Sequence, residues 1–344
     1  MNAARDPFVT DAAALRLMLL NDWQQEFPLV PEPFAQIARH CGRGTDEVLG
    51  AYRELARDGA VSRIGGVWAA GAGGASLLCA MQVPPQRLAA VAQLVSAHEG
   101  VNHNYEREHA YNLWFVITGR SAQAVEQAIV AMERQTGLNA LRLPMQKVYR
   151  IDLGFDLKGA ATAAHRRHGA RAGRVPPVQE RDAPLAALAE AGIALVQRPY
   201  DAWAQALGCT PDSVRETLQQ WVDQGTLRRF GVVVRHHEVG FDQNAMTVFD
   251  VPDDEVDACG AALARQSGVT LCYRRARVSQ WPYNLYCMVH GRERDAVQQQ
   301  IAQAIAQCGL GQYRYNVLFS RQRFKQAGGR YFRDSATQVG HVAR

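Results

Sequence analysis

From Pro33 the apolar positions recur at helical spacing, with Phe34, Ile37, Ala38 and Cys41 on one stripe. Gly42-Arg43-Gly44 ends that stripe, and Thr45 followed by Asp46 and Glu47 supplies an N-cap and an acidic first turn, so a second helix is expected to run to Gly59. The period then shortens, and Val61–Trp68 reads as a short hairpin. Three helices and such a hairpin predict a winged helix-turn-helix. Beyond it the pattern alternates strand, helix, strand, strand, helix, strand over Ser76–Val83, Pro85–His98, Val101–Arg107, Tyr111–Thr118, Ser121–Gln135 and Leu141–Val148. That rhythm is the ferredoxin-like split motif.

The whole pattern then repeats. Phe27–Phe34 aligns with Ile193–Tyr200, Ile64-Gly65 with Phe230-Gly231, and Tyr111-Asn112-Leu113-Trp114 with Tyr283-Asn284-Leu285-Tyr286. The register slips late, at a four-residue insertion between Tyr273 and Tyr283, where a hairpin turn is expected. The second winged helix runs from about Pro184 to about Arg235, with Thr210-Pro211-Asp212 opening its third helix. Its split motif covers Asn244–Val251, Asp253–Gln266, Val269–Ala276, Tyr283–His290, Asp295–Gln307 and Tyr313–Phe319. The predicted class is α+β, a tandem duplication of a winged helix-turn-helix plus a ferredoxin-like (Lrp/AsnC-type effector) domain. Expected boundaries are 1–70 and 71–157 for the first copy, a linker at 158–183, 184–238 and 239–333 for the second copy, and a tail at 334–344. The linker is rich in Ala, Gly, Arg, His and Pro without apolar period, so His165-Arg166-Arg167-His168 reads as solvated chain rather than a metal site.

Composition narrows the classes. A chain of 344 residues that is 47% hydrophobic and 21% charged is globular and long enough for several domains. The seven cysteines are scattered with no Cys-x-x-Cys pair, which argues against a zinc or iron-sulfur site and fits a reducing cytoplasm. Arg16 interrupts the apolar stretch Ala12–Leu20 and no segment approaches 18 apolar residues, so neither a signal peptide nor a membrane span is expected. The net charge of +5 suits nucleic acid or a small anion equally.

A winged helix ahead of a ferredoxin-like domain resembles the leucine-responsive (Lrp/AsnC) regulators, so a transcription factor sensing a small ligand or tetrapyrrole is the alternative reading. The candidate recognition helices oppose it. Thr45–Gly59 sets Arg53 and Arg57 against Asp46, Glu47, Glu54 and Asp58, and Thr210–Gly225 sets Arg215 against Asp212, Glu216 and Asp223. Both carry net negative charge, the wrong sign for a DNA groove, so no DNA partner is expected.

Chemistry-bearing residues concentrate in Val101–Trp114. Alternation on a strand puts His103, Tyr105 and Arg107 on one side together with Val101, and His109 and Tyr111 are expected on the antiparallel neighbour. In the second copy Tyr273 and Arg275 keep the places of Tyr105 and Arg107, His103 has become Leu271, and the cations Arg274 and Arg277 appear. One copy retained groups that move protons near neutral pH; the other accumulated groups that grip carboxylates. A polycarboxylate substrate is the natural inference.

The stretch Asn102–His109 with Tyr111-Asn112-Leu113-Trp114, and the closing Arg323-Phe324-Lys325 and Gly328-Gly329-Arg330-Tyr331, resemble the siroheme decarboxylases, Lrp-like proteins found as paired or fused subunits. The resemblance implies removal of carbon dioxide from the C12 and C18 acetates of siroheme, giving 12,18-didecarboxysiroheme on the way to the modified haem of nitrite reductase. On such a substrate the residues themselves suggest that His103 or His109 supplies the proton, that Tyr105 and Arg107 orient the leaving carboxylate, that Arg274, Arg275 and Arg277 anchor other carboxylates, and that Tyr111, Asn112, Trp114, Tyr273, Tyr283 and Asn284 complete the binding surface. No cofactor is implied beyond the iron of the siroheme itself, to which either His103 or His109 is a candidate axial ligand. The two halves are expected to pair as a dimer within one chain, with further oligomerisation left open.

Overall fold

The computed structural model describes residues 7–151, 175–234 and 243–333. The expected linker up to residue 174 and the expected tail at 334–344 lie outside them. In chain order the first copy supplies α1 (Pro7–Asn21), α2 (Pro33–Cys41), α3 (Thr45–Arg57), β1 (Val61–Trp68), β2 (Ala75–Met81), α4 (Leu88–Ala97), β3 (Val101–Arg107), β4 (Leu113–Gly119), α5 (Ala122–Thr136), β5 (Ala140–Leu143) and β6 (Met145–Ile151). The second supplies α6 (Ala183–Ala191), α7 (Pro199–Leu207), α8 (Pro211–Asp223), β7 (Leu227–Val234), β8 (Gln243–Asp250), α9 (Val256–Leu263), β9 (Val269–Arg275), β10 (Leu285–Gly291), α10 (Arg294–Gln307) and β11 (Arg314–Gln326). These group by type rather than by copy. One compact unit takes the described residues within Met1–Gly73 and Gly154–Val239, the other those within Gly74–Leu153 and Gly240–Arg344.

In the helical unit, the apolar stripe of α2 buries Phe34 and Ile37 in a core with Tyr52 and Leu55 of α3. The helix starts differ from each other. Thr210 caps α8, its hydroxyl accepting the Ser213 amide at 3.2 Å, whereas Thr45 is already helical and Gly44 occupies the cap position of α3. The expected wing hairpin at Val61–Trp68 is not one. It is the single strand β1, and it pairs antiparallel with β7 of the other copy, Gly65 opposite Gly231. Glycine is required there because a Cβ on Gly65 would meet the Ala189 carbonyl at 2.6 Å, and one on Gly231 would meet the Trp23 carbonyl at 2.6 Å. β1 thus packs on the C-terminal end of α6, and β7 on the backbone that follows α1.

The second unit is built on one nine-stranded sheet in the order β5-β2-β4-β3-β11-β8-β10-β9-β6. Each copy contributes a four-stranded ferredoxin-like sheet, and each copy's last strand bends onto the other copy's sheet. β11 pairs with β8 as far as Phe319 and with β3 from Ser320. β5 pairs with β2, the ladder breaks at Pro144, which has no amide proton, and β6 continues on β9. One face of each half-sheet packs on its own helices, giving cores around Phe115 and Ile129 in the first copy and Phe249 and Ile301 in the second. The opposite faces of both halves meet in a third core that includes Trp114, Leu143, Met246, Trp281, Tyr286 and Leu318.

Candidate active site

β3 carries the predicted proton-transfer and anion-binding groups, and a bulge decides where they point. The pairing of β3 with β4 shifts register between Val101 and His103. Val101 therefore belongs to the helix-packed core, correcting its expected place beside His103. Asn104 also faces the helices, donating to the Ala92 carbonyl and the Ser96 hydroxyl at 3.0 Å. The alternate residues His103, Tyr105 and Arg107 share the other face: the imidazole stacks on the Tyr105 ring at 6.3 Å and the Arg107 guanidinium lies 5.7 Å from the same ring.

Arg107 is 6% exposed and donates to the Leu318 carbonyl of β11 at 3.0 Å. Arg275, its counterpart, donates to the Leu143 carbonyl of β5 at 2.7 Å and lies over Tyr273 and Tyr286. Each guanidinium thus reaches the other copy's last strand, and among the described residues neither has a carboxylate partner. Burial pushes both below the usual arginine value, Arg107 to about 10, which leaves Arg107 charged near neutral pH. A buried cation without a counter-ion is costly. It is suited to receive an anion.

Arg274 and Arg277, expected as anchors, differ in being paired with carboxylates of the chain itself. Arg274 is bonded to Asp253 at 3.1 Å, and Arg277 to Asp253 at 2.7 Å, Asp250 at 3.1 Å and the Pro282 carbonyl at 2.8 Å. Their charges are met by the chain's own carboxylates. The two asparagines are likewise committed: Asn112 exchanges hydrogen bonds with both backbone groups of Val83 at 2.9 Å, and Asn284 with those of Val251 at 2.9 and 3.0 Å. Each ties the loop before β4 or β10 to the end of the neighbouring strand. These bonds fix the orientation of each amide.

The two histidines sit at opposite ends of the β3 hairpin. His109 and Tyr111 lie in the loop ahead of β4, not on the strand where they were expected. The Tyr111 amide donates to His109 Nδ1 at 3.0 Å, so the neutral ring carries its proton on Nε2. His103 is the reverse. Its Nδ1 lies 2.6 Å from the Asn102 side-chain oxygen Oδ1, which can only accept, so the neutral ring carries its proton on Nδ1 and a lone pair on Nε2. Burial first, then Arg107, pushes His103 down to about 4; burial also lowers His109. Tyr105 is raised by burial against the opposing influence of Arg107 and Arg323.

Aromatic rings close the end of the hairpin. Trp114 donates to the Tyr111 carbonyl at 2.6 Å, and at the equivalent place Tyr286 donates to the Tyr283 carbonyl at 3.3 Å. Between them stands Trp281, 1% exposed, donating to the Tyr286 hydroxyl at 2.8 Å and in edge contact with His109, Tyr111, Trp114 and Tyr283. It was missed from the sequence, although its place in the insertion that breaks the repeat was a signal. Beside the loop opens a groove of about 860 Å³, within the range of ligand pockets, whose lining includes Val83, Pro85, Arg107, His109, Asn112 and Arg321 but not His103 or Tyr105.

Known proteins share this architecture. The sequence profile of the AsnC-like ligand binding domain matches residues 72–150 and 238–325, and that of the siroheme decarboxylase NirDL-like HTH domain matches residues 18–61. The siroheme decarboxylase NirDL subunit of Paracoccus denitrificans is 39% identical over 91% of this chain and 96% of its own length. The chain belongs to the siroheme decarboxylase family. The siroheme decarboxylase of Hydrogenobacter thermophilus is 30% identical over 90% of this chain and 92% of its own. A crystal structure of the siroheme decarboxylase NirDL in co-complex with an iron-uroporphyrin III analogue superposes with a TM-score of 0.66 at 27% identity, covering 94% of this chain and 95% of that one. For a siroheme decarboxylase the unpaired cations Arg107 and Arg275 fit a tetrapyrrole with carboxylates around its rim, and the indoles and phenols fit its apolar face.

Proposed function

We propose that this protein decarboxylates siroheme, converting the C12 and C18 acetates to methyl groups and releasing two molecules of carbon dioxide. The observation that carries the reading is Arg107, a buried guanidinium with no carboxylate partner on the strand that presents His103. Family membership names the substrate class.

Loss of carbon dioxide from a pyrrole acetate breaks the bond between the methylene carbon and the carboxylate. The electron pair passes into the macrocycle, and the methylene carbon must then take a proton. The macrocycle is its own electron sink, so the reaction calls for no separate cofactor. Arg107 with Tyr105 holds the carboxylate. His109, with its proton fixed on Nε2, donates a hydrogen bond to a second rim carboxylate at the loop end of the hairpin. His103 delivers the proton to carbon from Nε2, and Arg275 anchors a carboxylate on the other half of the sheet. A bound carboxylate next to His103 raises its proton affinity towards neutrality.

Anaerobic incubation with siroheme, followed by mass spectrometry, tests this. The expected product has lost two carbon dioxide units. Tight binding of siroheme with no mass change would make the protein a sensor or carrier instead.

A further inference from the structure

His103 ends a hydrogen-bond chain that begins in the second copy's C-terminal segment. The Arg330 amide donates to the Thr118 hydroxyl oxygen at 2.9 Å, and that hydroxyl donates to the Gly100 carbonyl at 3.3 Å. With its one proton spent, the Thr118 oxygen can only accept, and it receives the Asn102 amide nitrogen at 3.3 Å. That turns the Asn102 carbonyl oxygen onto His103 Nδ1 at 2.6 Å, a separation at the short end for N–H···O and too tight for two nitrogens. Asn102 and Thr118 are 4% and 3% exposed, so water does not compete for these bonds. The segment that starts the chain is fastened independently. Ala327 donates to the Asn102 main-chain carbonyl at 2.7 Å, Arg330 pairs with Glu99 at 2.7 Å, and the Tyr331 ring packs where Gly74 has no Cβ.

The second copy lacks this device. Where the first has Asn102 and His103 it has Thr270 and Leu271, and the Thr270 hydroxyl contacts His290 Nδ1 at 2.8 Å and donates to the Met288 carbonyl at 3.1 Å.

We propose that Asn102 is a positioning residue that holds His103 with its proton on Nδ1 and its lone pair on Nε2, and that the Ala327–Arg330 backbone of the second copy completes the site by orienting Asn102 through Thr118. The use of that lone pair rests on the decarboxylase reading. Nε2 takes a proton from solvent, and the resulting imidazolium stays bonded to Asn102 through Nδ1–H. As the carbon–carbon bond breaks and carbon dioxide leaves, the proton moves from Nε2 to the methylene carbon, and the ring returns to its starting tautomer. One proton is consumed for each carbon dioxide. The opposite tautomer would hide the lone pair against Asn102 and disable the cycle.

The test is ¹⁵N spectroscopy of histidine-labelled full chain without substrate, joined to steady-state decarboxylation. Wild-type His103 is expected as the Nδ1–H tautomer and His109 as the Nε2–H tautomer. Asn102→Ala should mix the His103 tautomers and lower kcat by about tenfold to a hundredfold at unchanged KM. Asn102→Asp keeps an acceptor and should restore the tautomer and most of kcat. Thr118→Val, nearly isosteric, should act in the same direction as Asn102→Ala if the alanine variant folds poorly. An active wild type whose His103 is the Nε2–H tautomer, or an Asn102→Ala variant with unchanged tautomer and kcat, overturns the positioning role alone. Expected tautomers in a wild type that releases no carbon dioxide overturn the decarboxylase reading and, with it, the catalytic use of the lone pair.

Discussion

At the scale of single residues, two kinds of arginine are distinguished by what surrounds them. Among the described residues Arg107 has the Leu318 carbonyl, the Met288 sulfur and the Tyr105 ring for company but no carboxylate, so removing its charge takes away a desolvation cost together with its bonds. Arg107→Leu is therefore expected to leave the substrate-free thermal midpoint within a few degrees of wild type while weakening siroheme binding by about tenfold or more, read by calorimetry and by titration of the tetrapyrrole absorbance. Arg277→Leu breaks bonds to Asp250, Asp253 and the Pro282 carbonyl, and should lower the midpoint with little effect on affinity. The reverse pattern would exchange their roles. His103 adds a pH dependence. Its folded value of about 4 lies below the unfolded value near 6.5, so between the two the unfolded chain binds more protons and stability rises with pH. The contribution is complete above about 6.5 and is lost as pH falls towards 4, on the order of 3 kcal/mol in all. Urea midpoints measured across that window should fall less steeply for His103→Gln than for wild type; parallel slopes would remove His103 as the cause.

At the scale of elements, the insertion that breaks the repeat places one buried indole against rings from both copies. Trp281→Ala leaves a void among His109, Tyr111, Trp114 and Tyr283, and should cost about 3–5 kcal/mol in chemical denaturation. A loss under about 1 kcal/mol would mean that the rings collapse to fill it. Period and punctuation made most elements legible: Val101–Arg107 coincides with β3, and the Thr210-Pro211 signal coincides with the start of α8. The wing was misread for a definite reason. Alternation identifies a strand but not its partner, and Val61–Trp68 finds its partner in the other copy. The backbone partners of Asn112 and Asn284 were illegible for a like reason, because an amide in sequence shows hydrogen-bonding capacity and not which groups meet it.

At the scale of the whole chain, the crossing of β6 and β11 ties the ferredoxin-like halves together through backbone hydrogen bonds. Cutting the chain within 158–174 with an engineered protease site should leave both fragments co-eluting, since the ladders do not depend on that connection. Separation of the fragments on dilution would show that the covalent link holds the halves together. The crossing also explains why the Arg107 guanidinium of one copy ends on the Leu318 carbonyl of the other. A duplicated domain became one sheet, and its copies could diverge because each lends parts to the other.

The duplication, the α+β class and the hairpin that concentrates the chemistry were determined by sequence alone, since periodicity, glycine punctuation and residue type are local properties repeated along the chain. Tertiary structure decided which of the candidate groups remain available. Among the described residues Arg107 and Arg275 are left without counter-ions, Arg274 and Arg277 are paired with carboxylates, and the asparagines of the repeated signature hold backbone groups. It also set the two imidazoles in opposite tautomers, through Tyr111 for His109 and through Asn102 for His103. Those outcomes depend on pairs of atoms brought together across the fold, which no spacing along one chain encodes.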